Sequence, residues 1–240
     1  MKTVLITGAN KSIGFETAKQ MAQLGYHVFI TARDNVRGNE AMQQLKQQGF
    51  DNISFVQMDV TDEVSIKTAY DNVAAQVKAL DVLINNAGIS GGFPQPASTY
   101  PAEKVLEVFQ TNFFGVIKVT QAFLPLLKLS SAPRIVNVTS GLGSLTGHSD
   151  PNWAYYSYKS AGYGPSKTAL NAYTVALAYD LKDQGFKVNA IDPGYTATDF
   201  NSHRGHKTVQ AAAEPIVKYA TIGDDGPTGG FFGEEGVIGW

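Results

Sequence analysis

The sequence predicts an α/β fold: a doubly wound parallel β-sheet flanked by helices on both faces. Three observations predict it. Short aliphatic or β-branched runs alternate with longer amphipathic stretches throughout the 240 residues. Those runs are unbroken rather than alternating, as strands read when both faces are covered. The residues able to do chemistry fall just after the expected strand ends, where ligands of such sheets bind. The length fits one domain, 1–240, and 43% hydrophobic residues suffice for its core.

The first strand is expected over 3–7, within the run KTVLIT. It leads into Gly8-Ala-Asn-Lys-Ser-Ile-Gly14, then a helix over 14–24 with Phe15, Ala18, Met21, Ala22 and Leu24 at helical spacing. Gly25 reads as its C-cap, and a strand over 27–31 completes a βαβ unit of right-handed crossover. A strand, a glycine-bearing turn and a helix together aim backbone N–H groups and a helix N-terminus at a phosphate. The alternation continues with helices near 38–48, 63–78, 101–128, 163–184 and 208–220, and strands near 53–57, 81–84, 134–139, 187–191 and 230–232. Residues 223–230 read as a tight turn before the last strand. The segment 195–220 is expected to form a small lid, with Pro215 kinking or interrupting any helix there.

Tyr163-Gly-Pro-Ser-Lys167 sets a phenol and an ammonium four residues apart, stacked on one face if a helix starts there. A neighbouring cation favours phenolate, so the expected phenol pKa moves from about 10 toward neutrality, where it can give or take a proton. The pattern occurs twice, because Tyr155-Tyr-Ser-Tyr-Lys159 precedes it. Lys159 is followed by Ser-Ala-Gly, which sustains no helix. From Pro165, tolerable in a first turn, a helical pattern runs on, so the second copy is the expected proton donor. Trp153, Tyr155, Tyr156 and Tyr158 read equally as a pocket wall or as a surface loop packed on its own rings. Tyr195 is the better pocket candidate.

Several classes are set aside. A net charge of −2 gives no electrostatic reason to expect nucleic acid or an acidic membrane surface. Without cysteine there is no disulfide or thiolate metal site, and His27, His148, His203 and His206 have no metal-like spacing. No apolar run is long enough to span a membrane, and the amino terminus enters a strand directly, so the expected location is cytoplasmic.

With these motifs in order, the whole chain resembles the short-chain dehydrogenase/reductase family in its compact single-domain branch, and most of all its NADPH-using carbonyl reductases. Thr7, Gly8 and Gly14 match the family's glycine motif, with Ser12 where a glycine is usual. Asn85-Asn86-Ala87-Gly88, Asn112-Phe-Phe-Gly115, Ser140, Tyr163 with Lys167, and Pro193-Gly194 followed by Thr196 and Thr198 match its later motifs. The resemblance implies a Rossmann-type oxidoreductase transferring hydride between NADP(H) and a small carbonyl or secondary alcohol substrate. It implies Asn112, Ser140, Tyr163 and Lys167 as the catalytic set, with Asn112 holding a water that links Lys167 to solvent. Cofactor contacts then fall on Gly8, Asn10, Lys11, Ser12, Ile13, Gly14, Arg33, Asp59, Val60, Asn86, Ala87, Gly88, Tyr163, Lys167, Pro193, Gly194 and Thr196.

NADP(H) is expected over NAD(H). The position that carries a carboxylate in NAD enzymes is Ala32, with Arg33 beside it, and Lys11 and Arg37 are further cations for a 2′-phosphate. Relatives pair through helices matching 101–128 and 163–184, so a homo-oligomer, dimer or tetramer, is expected. The competing readings are a reductase of carrier-linked ketoacyl thioesters, for which Arg204, His206 and Lys207 would be a thin docking patch, and a non-catalytic nucleotide-binding scaffold.

Overall fold

The computed structural model describes all 240 residues. One eight-stranded sheet runs in the order β3-β2-β1-β4-β5-β6-β7-β8. Its strands are β1 (Thr3–Ile6), β2 (His27–Ala32), β3 (Ile53–Gln57), β4 (Val82–Asn85), β5 (Arg134–Val138), β6 (Lys187–Ile191), β7 (Phe231–Gly233) and β8 (Gly236–Val237). All pairings are parallel except β7 with β8. The order reverses beside β1, which pairs with both β2 and β4, so the crevice for a ligand opens at the ends of those two strands.

The alternation of side chains along each strand builds two cores. Val4, Ile6, Val28, Ile30, Val82 and Ile84 face one side. They pack there on α1 (Ser12–Gln23), α2 (Asn35–Gln47) and α8 (Val209–Ala220). Leu5, Phe29, Leu83, Ile135 and Val188 face the other, against α3 (Glu63–Ala74), α5 (Gly115–Leu127) and α7 (Tyr163–Asp180). Each large side chain so buried contributes about 1.5–3 kcal/mol.

Four expectations change. The helix expected over 101–128 is α4 (Ala102–Phe109) joined to α5 through one π turn, Gln110–Phe114, which carries Asn112. Such a bulge needs no breaker residue and leaves the apolar period almost intact. Pro215 does not interrupt α8; it is buried in a continuous helix whose Ala212, Ala213, Ile216 and Ala220 are fully enclosed. That packing outweighs the missing hydrogen bond, a loss of about 3 kcal/mol. Since α8 belongs to the core, only 195–208 of the segment read as a lid lies outside it. Finally, α6 (Leu145–Ser149) and β8 were not expected; α6 is held by Ser144 Oγ, which accepts from Gly147 N–H. The turn over 223–230 is anchored by Arg134, whose Nη2 bonds Asp224 at 2.6 Å.

Candidate active site

The glycine turn is built by Thr7 and Asn86. Thr7 Oγ1 accepts from the N–H groups of Asn86 and Ala87, both at 2.9 Å. Asn86 Nδ2 donates back to the carbonyls of Thr7 and Gly8. This ties the end of β4 to the end of β1. Gly8 has φ +63°, and a Cβ there would lie 3.0 Å from Ala87 Cα. At Gly14 a Cβ would sit 2.4 Å from Asn86 Nδ2, so the helix can approach the turn only with glycine. Ser12, at φ +53°, holds a left-handed backbone that glycine takes without cost. The result is a close cradle under the free N–H groups at the start of α1, the shape and polarity a pyrophosphate needs. Asn10, Ser12 and Ile13 are partly exposed along it.

The cations expected to read a 2′-phosphate are not equivalent. Arg33 follows the buried Ala32, is exposed, and no carboxylate is paired with it. Asp34 is occupied as the cap of α2, accepting from Arg37 N–H, and Arg37 Nε lies 3.9 Å from it. Lys11 is paired with Asp199 at 2.9 Å, across the chain from the glycine turn. Asp59 turns Oδ1 onto Thr61 N–H and hydroxyl, and Asp62, not Asp59, caps α3. Val60 sits under Gly115, where a Cβ would come within 3.0 Å of it.

The expected catalytic residues converge beyond the ends of β4 and β5. Ser140 follows β5, and its Oγ accepts from Leu142 N–H at 3.2 Å. Its hydroxyl faces the Tyr163 phenol and acts to lower the phenol's pKa. Gly143 lets this loop lie flat on α7: a Cβ there would be 2.9 Å from the Lys167 carbonyl carbon. Thr139 and Ser144, hydroxyls nearby in sequence, point elsewhere, toward the Lys167 and Gly239 carbonyls. Lys167 is buried, and its Nζ donates to the Val138 carbonyl at 2.9 Å. Asn112, fully buried, gives both ends of its amide to the Ile89 backbone and donates to Ser166 Oγ at 3.0 Å. Gly88 backs onto this group, 3.3 Å from Asn112 Oδ1 and 3.7 Å from Lys167 Nζ when a Cβ is added.

The electrostatics correct one expectation. Lys167 does not pull the Tyr163 phenol toward neutrality. Its Nζ is 5.9 Å from the phenol ring and spent on Val138. Burial instead pushes the phenol well above its ordinary value; Ser140 acts against this, and the charge of Asp192 adds to it. Burial pulls the Lys167 ammonium down to about 8, with Asp192 acting in the opposite sense. Tyr163 is therefore a neutral phenol at pH 7, and Lys167 still mostly a cation.

Two residues of this site escaped the sequence. Gln95, 1% exposed, accepts with Oε1 from the N–H groups of Gly162 and Tyr163 at 3.1 and 3.0 Å. It thereby caps the helix that carries Tyr163, while its Nε2 holds Ser90 and Gly92. A lone amide between two prolines leaves no pattern to find. Asp192 follows β6 and accepts from Gly194 N–H at 3.0 Å, with its Oδ2 3.1 Å from where a Cβ on Gly141 would stand, so it sits between the Ser140 loop and the Pro193-Gly194 turn. Its position one residue before that turn was the available signal. Burial raises its pKa, and the Gly194 bond, Lys207 and Lys167 oppose the rise. Gly194 has φ +80°, and Thr196 Oγ1 donates to its carbonyl.

Aromatic rings surround the cluster. Phe93 and Phe200 meet Tyr163 edge-on, at 6.1 and 5.3 Å between ring centres. Trp153 packs on Tyr155, and Tyr155 on Tyr195, so the segment read two ways is both packed on itself and joined to the Pro193-Gly194 loop. Behind Ser140, the Ser144 hydroxyl bonds the Gly239 carbonyl, Thr146 N–H bonds the Trp240 carbonyl, and Trp240 stacks on Phe231. No three acidic or histidine side chains gather to hold a metal, and no helix is long and apolar enough to cross a membrane.

Comparison with known proteins agrees with this geometry. A family model described as short chain dehydrogenase matches residues 2–208. Salutaridine reductase of Papaver bracteatum is 33% identical, over 97% of this chain and 94% of its own. (+)-Neomenthol dehydrogenase of Capsicum annuum is 33% identical, over 95% and 94%. NADPH-bound carbonyl reductase from chicken fatty liver superposes with a TM-score of 0.88 at 29% identity, over 100% of this chain and 99% of its own. The chain therefore belongs to the short-chain dehydrogenase family, as an oxidoreductase that moves hydride between a nicotinamide cofactor and a carbonyl or alcohol carbon.

Proposed function

We propose that the chain is an NADPH-dependent carbonyl reductase in which Tyr163 is the proton donor. The observation that carries this is the convergence of Ser140, the Tyr163 phenol and the buried Lys167 at the sheet end next to the glycine cradle. Bound NADPH supplies the hydride. The cradle of Gly8, Asn10, Ser12, Ile13 and Gly14 holds its pyrophosphate, and Asp59 and Val60 flank its adenine side. Asn86, Ala87, Gly88, Pro193, Gly194 and Thr196 line its nicotinamide half. As charge builds on the carbonyl oxygen, Ser140 donates a hydrogen bond to it and Tyr163 passes it a proton, leaving a phenolate. Lys167, its Nζ anchored on the Val138 carbonyl, holds the nicotinamide ribose. Asn112 positions Ile89 and Ser166, and Ser166 Oγ in turn bonds the Tyr163 carbonyl.

NADPH over NADH rests on Arg33, the exposed guanidinium after β2 that no carboxylate neutralises. Lys11 serves this role less well while Asp199 holds it. The segment 195–208 acts as a lid over the site. Exposed apolar side chains on α4, the π turn and α7, among them Leu106, Phe114, Val175 and Tyr179, suit packing on a second copy of the chain and support a homo-oligomer. The absence of cysteine and of any membrane-spanning helix fits a cytoplasmic location. The carrier-linked thioester reading loses Lys207 from its docking patch, since that side chain is 9% exposed and paired with Glu234 at 2.7 Å, while Arg204 and His206 stay exposed.

The test is NADPH and NADH oxidation with a panel of ketones, aldehydes and ketoacyl thioesters. Ketone or aldehyde reduction faster with NADPH is expected, and Arg33→Asp should lower NADPH efficiency far more than NADH efficiency. An equal fall with both cofactors would remove Arg33 as the reader. Preference for the thioesters would replace the reading.

A further inference from the structure

Two phenylalanines are placed where folding alone gives no reason to put them. Phe93 is 46% exposed and Phe200 41% exposed, yet each packs its edge on the same nearly buried phenol, Tyr163. They come from separate parts of the chain, the loop after β4 and the segment after β6. Neither belongs to either of the two cores. Leaving that much ring in water forgoes part of the gain of burying it, and the largest unburied apolar surfaces on soluble proteins tend to be functional. The site continues in the same character. Trp153 Cζ2 lies 3.7 Å from where a Cβ on Gly141 would stand, directly beside Ser140, and Tyr155 joins Trp153 to Tyr195.

Most charges around this surface are paired. Asp199 holds both Lys11 and His203, at 2.9 and 3.0 Å. Glu234 holds Lys207, while Arg204, with its Nε on the Asn201 carbonyl, has no carboxylate partner. Lys11 and Lys207 are therefore not free to meet a carboxylate or phosphate of a substrate. What remains is an apolar, ring-lined surface with one polar point, Ser140 and Tyr163, a combination that holds a neutral molecule by its flat hydrocarbon part and one oxygen.

We propose that Phe93 and Phe200 are specificity-determining residues that select neutral aryl ketones, gripping the ring of the substrate while its carbonyl meets Ser140 and Tyr163. This rests on the carbonyl-reductase reading, and deepens it to a substrate class.

The experiment compares acetophenone with 2-octanone, two ketones of equal carbon count, one flat and aromatic, one flexible. Two readouts are taken for the native protein, Phe93→Leu and Phe200→Leu: kcat/KM with NADPH, and binding of each ketone to the NADP⁺ complex by calorimetry. Leucine keeps an apolar side chain of similar bulk, and both variants are checked for native melting. The native protein should favour acetophenone, and each variant should lower the acetophenone to 2-octanone ratio by about tenfold, the size of losing edge-to-face ring contacts. A native ratio near one, or a ratio unchanged by both substitutions, overturns the proposal. Reduction of 2-octanone with no acetophenone binding also overturns it, but leaves carbonyl reduction standing. Acetophenone binding that depends on Phe93 and Phe200 without turnover of either ketone supports the grip and refutes the reductase reading instead.

Discussion

Tyr155–Lys159 and Tyr163–Lys167 share one spacing and differ in their surroundings. The first pair lies in a run of turns, and Lys159 bonds the His148 carbonyl and sits over Tyr156 rather than Tyr155. The second pair lies on α7, with the phenol beside Ser140 and the ammonium buried against Val138. Spacing makes a meeting of two groups possible. A helix, a cap and removal from water turn it into chemistry, because only there do burial and a neighbouring hydroxyl decide which group holds a proton.

The comparison breaks most visibly at the phenols. Tyr163→Phe should lower reductase turnover by about 10²-fold or more, the worth of a general acid, while NADPH binding is kept. If Tyr163→Phe stays active and Tyr155→Phe is dead, the proton donor belongs to the first copy. Removing the cap comes next. Gln95→Ala leaves the Gly162 and Tyr163 N–H groups unpaired in a buried position and should cost about 1–3 kcal/mol in denaturant unfolding. Turnover should fall about tenfold, as expected when a reacting group is slightly misplaced. Unchanged stability would mean that α7 needs no help from the loop after β4.

A third, smaller effect is read in pH. Lys167 titrates near about 8 instead of its ordinary 10.5, so kcat/KM should fall as pH rises through about 8. The folded state binds fewer protons than the unfolded one between those values, so this group's contribution to stability rises over the same window. Activity and stability should therefore move in opposite directions. The charge of Asp192 acts against that lowering of Lys167, and Lys207, Tyr155 and Tyr163 are the other ionisable groups near it. Asp192→Asn should shift the alkaline limb downward, and a limb that does not move would leave Asp192 a purely structural tie. The smallest effect is expected at Tyr155→Phe, with turnover within about threefold, since the hydroxyl belongs to a pocket wall at most.

These differences also explain what the chain disclosed in advance. Strands such as Val82–Asn85 and the turn from Gly8 to Gly14 are written in adjacent residues, so periodicity and glycine placement reveal them. The helix behind Tyr163 was legible for the same reason, and it decided between the two copies. Gln95 reaches Tyr163 across 68 residues, and Lys11 reaches Asp199 across 188. Bonds of that kind leave no local trace. The fate of the phenol was misread because its acidity depends on burial, which spacing does not report. Pro215 was misread because local propensity lost to packing of α8 on the sheet.

The hydrogen bonds from Ser144 and Thr146 to the carbonyls of Gly239 and Trp240 give the Ser140 loop a mechanical support that lies outside the crevice. Ser144→Ala would weaken that support without touching any group that meets a reactant. Catalytic rate should then fall in part, as a dimmer rather than a switch, while the glycine cradle beyond β1 keeps its grip on the nucleotide.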